Sequence, residues 1–63
     1  MVSEMCEFKV FLGDEEIMRD VIYAREEGGK VILRDVLGET RIVEGAKILE
    51  VDVSAVRLLL GKT

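Results

Sequence analysis

Cys6 is the residue whose chemistry stands out. It is the single cysteine among 63 residues and directly follows Met5. A free cysteine on the inward face of a first strand commonly serves as a small buried hydrophobe. Its alternative use depends on which methionine opens the mature chain. An initiator methionine is trimmed ahead of a residue as small as cysteine, so translation from Met5 leaves Cys6 with a free α-amine beside its thiolate. That amine, the adjacent amide nitrogen and the thiolate form a compact chelate, and such mixed donors suit Ni(II) or Cu(II) in tetragonal geometry. A twofold dimer would bring the same cysteine from each subunit near the axis, each copy supplying half of the ligands. Four residues, Met1 to Glu4, precede the pair. A chain that keeps them has no amine at Cys6, and its other donors are backbone nitrogens or carboxylates such as Glu7, a weaker and less nickel-selective set.

Elsewhere the residue types speak against catalysis. Without histidine the chain lacks the commonest general base, and neither Ser3 nor Ser54 has a partner to activate its hydroxyl, which excludes a hydrolase triad. Glu26 and Glu27 with Asp20 resemble paired carboxylates, yet a solvated turn flanked by glycines has the same letters. Gly28-Gly29-Lys30 lacks the length and trailing helix of a phosphate loop and reads as a hairpin turn. Thirteen acids against nine bases give a net charge of −4, with the bases interleaved among acids. Nucleic-acid binders draw most of their affinity from a basic surplus, so the overall charge favours no polyanion.

A chain this short makes one thin-cored domain, for which a metal or a partner subunit is a natural support, since a lone cysteine allows no internal disulfide. Residues 1–5 read as an extension or start region and 6–63 as the domain. A free cysteine and the lack of a secretory pattern set the cytoplasm as the expected location. No apolar run approaches the roughly 18 to 20 residues that cross a bilayer.

The elements that must carry these residues are strands. Cys6, Phe8, Val10 and Leu12 alternate with polar Glu7 and Lys9, and Gly13-Asp14 ends the segment. Residues 15–27 carry two patterns. Ile17, Met18, Val21 and Ile22 fit a helical stripe capped by Asp14 and stopped by Gly28, but the β-branched and aromatic centre at Val21-Ile22-Tyr23 and the Gly28-Gly29 turn before Lys30-Val31-Ile32-Leu33 favour strands. Gly38-Glu39 separates Val31 to Leu37 from a strand at Thr40 to Val43, which Gly45 closes. Leu49, Val51 and Val53 alternate with Glu50 and Asp52 as the cleanest half-buried strand, and Val56 to Leu60 resumes after a corner at Asp52 to Ala55. Turn signals at this spacing predict an all-β domain, a small SH3-like barrel of five or six short antiparallel strands that hides its edges.

Met5-Cys6-Glu7-Phe8-Lys9-Val10, the Gly28-Gly29 hairpin, Gly45 and Ile48-Leu49-Glu50-Val51-Asp52-Val53 resemble the CooT family of small nickel-binding proteins, from Met5 to about Leu60. The resemblance implies a dimeric SH3-like β domain, not an enzyme, whose cysteine after the initiator methionine binds Ni(II). It also implies an accessory role toward a nickel enzyme, carbon monoxide dehydrogenase, in a family with many archaeal and anaerobic members. Relatives of this kind are also labelled predicted RNA-binding proteins. That label supplies a rival: an RNA-binding module using a curved sheet face with Lys9, Arg25, Lys30 and Arg34 as contacts. A third reading is a protein-interaction domain without ligand, marked by an exposed apolar patch around Phe11 or Tyr23.

Overall fold

In a computed structural model that describes residues 7–63, the chain forms six strands: β1 (Phe8–Leu12), β2 (Glu15–Glu27), β3 (Lys30–Asp35), β4 (Thr40–Glu44), β5 (Ala46–Asp52) and β6 (Arg57–Lys62). They build one sheet in the order β4-β3-β2-β1-β6-β5. The all-β expectation holds, and residues 15–27 are strand throughout.

β2 is long because it serves two partners. Its first half pairs with β1, from Leu12 opposite Glu15 to Phe8 opposite Val21. Its second half pairs with β3, from Val21 opposite Asp35 to Glu27 opposite Lys30. The change of partner falls at a kink. Asp20 has φ 59°, a left-handed conformation that aspartate tolerates better than most residues, and a register shift follows between Val21 and Tyr23. The apolar spacing of Ile17, Met18, Val21 and Ile22 that imitates a helix reflects two further register shifts against β1, on either side of the Val10–Met18 pair, since one added residue in a strand changes which side chains share a face.

Two features depart from the expected barrel. β1 and β6 pair in parallel, Lys9 opposite Arg57 through Leu12 opposite Leu60, where only antiparallel strands were anticipated. The cause is Gly45, the one residue between β4 and β5. A hairpin needs about two connecting residues, so the chain passes from β4 into β5 without reversing, and β6 returns alongside β1 in the same sense. The hydrogen-bonded ladder also stays open, because β4 and β5 end the strand order and do not pair with each other.

A core of Val10, Val21, Val31, Leu33, Ala46, Leu58 and Leu60 fills the inside of the curled sheet, with Phe8, Leu12, Ile17, Met18, Val43 and Ile48 packed against it. The expected half-buried strand at Leu49, Val51 and Val53 needs correction. These residues are 54%, 55% and 66% exposed, and Val53 lies beyond the end of β5. A bulge between Ile48 and Glu50 breaks the period-two register and turns Leu49 out over Gly61, whereas Val51, opposite buried Leu58, keeps the inner side and is exposed because the sheet stays open there.

Candidate functional site

Cys6 and residues 1–5 lie outside the described residues, so the geometry can be followed to the edge of that region. Glu7 is exposed and precedes β1. Behind it, the start of β1 is anchored by the Lys9 amide, which donates to the Val56 carbonyl at 3.0 Å. Val56 sits in the corner between β5 and β6 with φ 53°, a conformation that strains a β-branched residue. Two contacts hold it there. The Asp52 carboxylate accepts from the Ala55 amide at 3.0 Å, and the Val56 amide donates to the Val53 carbonyl at 3.2 Å.

Beside this anchor opens an apolar groove of about 240 Å³, lined by Phe8, Val21, Ile22, Tyr23, Ala24, Ile48, Val51 and Leu58. It lies where the second half of β2, having left β1, faces β5 without a shared ladder. Ile22 and Val51 stand 47% and 55% exposed at this opening. Period-two reading could not reveal the groove, because both flanking strands carry a register shift near it. Of the two aromatics expected to mark an interaction patch, Tyr23 lines the groove and Phe11 is half-buried on β1.

The four candidate RNA contacts divide. Cross-strand register sets Tyr23 opposite Arg34, Arg25 opposite Ile32 and Glu27 opposite Lys30, so Arg25, Lys30 and Arg34 share the outer face of β2 and β3. Lys9 lies apart on β1, opposite Arg57. The Arg34 guanidinium lies over the Tyr23 ring, 4.9 Å from its centroid, and Arg25 contacts Glu27 at 3.3 Å. Glu44, opposite Lys30, brings a second carboxylate to that face. Arg19, also exposed, is held by Glu16 at 2.8 Å, and this hydrogen bond, with the carboxylate charge, raises its pKa.

Among the described residues no three acidic or sulfur side chains gather as a metal site. Nor do those residues contain a helix long and apolar enough to cross a membrane. A family model described as the CO dehydrogenase accessory protein CooT matches residues 5–60. The chain belongs to the CooT family. That match takes in Met5, Cys6 and all six strands up to Leu60 of β6. A family of accessory proteins, as its description has it, is not one of catalysts, in agreement with the reading from residue types. No curated protein matches the sequence.

Proposed function

We propose that this CooT family member is a cytoplasmic nickel-binding accessory protein that holds Ni(II) through Cys6 and serves a nickel enzyme as its client. The observation that carries the reading is the family match, which opens at Met5 immediately before the only cysteine. The donor set fits the ion. A thiolate, its own amide nitrogen and a terminal amine are the mixed nitrogen and sulfur ligands that nickel takes in tetragonal geometry, and they become available together when the mature chain begins at Cys6. Glu7 is exposed and close enough in sequence to add a weak carboxylate ligand.

A homodimer belongs to the same reading. Twofold symmetry lets each chain contribute half of the coordination sphere, and a domain this small gains from a partner surface. The apolar groove supports it, because Ile22 and Val51 are exposed beside Phe8, two residues from Cys6.

Calorimetric titration with Ni(II) of protein beginning at Cys6, alongside its Cys6→Ala variant, tests the assignment. The expected result is tight binding lost in the variant; equal affinities would remove Cys6 from the site. Thiolate and amine must shed protons to bind, so affinity falls as pH is lowered. RNA binding is the rival function. Salt-dependent retention of RNA would favour it, and no binding at about 50 mM salt, where phosphate contacts are strong, would end it.

A further inference from the structure

Among the described residues, the seam between β2 and β5 is fastened at one end only. β5 pairs along one edge with β6, from Ala46 opposite Lys62 to Asp52 opposite Arg57. Its other edge faces β2 and the turn after it, and two of its amides reach across. The Ala46 amide donates to the Gly29 carbonyl at 3.1 Å, and the Ile48 amide donates to Glu26 Oε1 at 2.8 Å. The second bond is unusual for a sheet, since a side-chain carboxylate occupies the place of a neighbouring strand's carbonyl. Beyond it the strands part and the seam widens into the groove, whose walls are Ile22 and Ala24 on one side and Ile48 and Val51 on the other. Residues in left-handed conformations stand at both chain connections between the two sides: Asp20 within β2, and Gly45, with φ 65°, between β4 and β5.

We propose that the Glu26 carboxylate is a latch, and that its release lets β5 swing from β2 and opens the groove toward Leu58, leaving the rest of the sheet paired. The sheet is built for this. Its halves share β2 and the short Gly45 link, and the ladder between them is absent along the groove. Glu26 can let go without breaking any backbone pair, because its own main chain stays in register with Val31.

Amide hydrogen exchange, resolved by residue, tests the latch in the full chain without metal. In Glu26→Ala the Ile48 amide should exchange about tenfold faster than in the native protein, the effect of losing one charge-assisted hydrogen bond. The Val10 and Leu33 amides should keep their native rates. Glu26→Gln, whose amide oxygen can accept the same bond, should keep Ile48 close to native, and Glu27→Ala should leave it unchanged. An unaltered Ile48 rate in Glu26→Ala would overturn the proposal. So would equal acceleration at Ile48, Val10 and Leu33, which reports global destabilisation, or a Gln variant exchanging as fast as the alanine.

Discussion

Replacing Gly61 with alanine tests the bulge that displaced Leu49. A Cβ built on Gly61 would lie 2.6 Å from Leu49 Cδ1, 3.0 Å from Cγ and 3.3 Å from Cδ2. The first distance is about 1 Å inside ordinary carbon contact, so one group must move. Leu49 is 54% exposed and can swing into solvent, whereas the β6 backbone is held by its pairing with Lys47 of β5 at Gly61 and with β1 up to Leu60. Moving Leu49 away forfeits its cover, about 1 kcal/mol for a side chain roughly half-buried. Against that loss, alanine lowers the entropy of the unfolded chain, a gain of about 0.4–1 kcal/mol. The two nearly cancel, and Gly61→Ala alone should change stability by less than about 0.5 kcal/mol. Leu49→Ala alone should cost about 1 kcal/mol. In the double variant the clash is gone and only the entropic gain remains, so it should be more stable than Leu49→Ala by about 0.4–1 kcal/mol. Urea unfolding of the four proteins completes the cycle, with an expected coupling of about 1 kcal/mol. Strict additivity, or a loss above about 2 kcal/mol for Gly61→Ala, would refute the placement of Leu49 over Gly61.

Leu33→Ala removes a fully buried side chain from the core and should cost about 2–5 kcal/mol, enough to unfold much of a domain this small at 37 °C, as thermal melting by circular dichroism would register. Asp35→Ala should cost about 1–2 kcal/mol by urea titration, because Asp35 Oδ1 accepts from both the Leu37 and Glu39 amides at 2.9 Å and organises the turn between β3 and β4. Gly29→Ala should destabilise by about 1 kcal/mol, measured in the same way, since φ 80° is strained for a residue with a Cβ.

Much of the fold was legible because period-two alternation and glycine turns are local properties. Phe8 and Val10 face the core as their spacing implies, and Gly28-Gly29 forms the turn that joins β2 to β3. The misreadings fall where a strand gains a residue. The bulge at Leu49 broke the alternation along β5, and the register shifts of β2 against β1 gave β2 its helical stripe. The parallel pairing of β1 with β6 follows from a one-residue connection at Gly45, whose meaning emerges only once both flanking strands are known. Of the candidate site, Cys6 was picked out by its position after a methionine, a chemical rather than a structural signal. The groove and the Glu26 contact were invisible because they arise from strands distant in sequence; Glu26, read as part of a solvated turn, instead accepts from an amide 22 residues away.

The most direct measurement is a side-by-side nickel titration of the chain beginning at Cys6 and the chain beginning at Met1, followed by thiolate-to-nickel absorption. Outer ligand partners alone change metal affinity by about 10–100-fold, so loss of the terminal amine as a direct ligand should weaken the longer chain by at least about tenfold. Equal affinities, or tighter binding by the longer chain, would contradict a site built on a free amino terminus at Cys6.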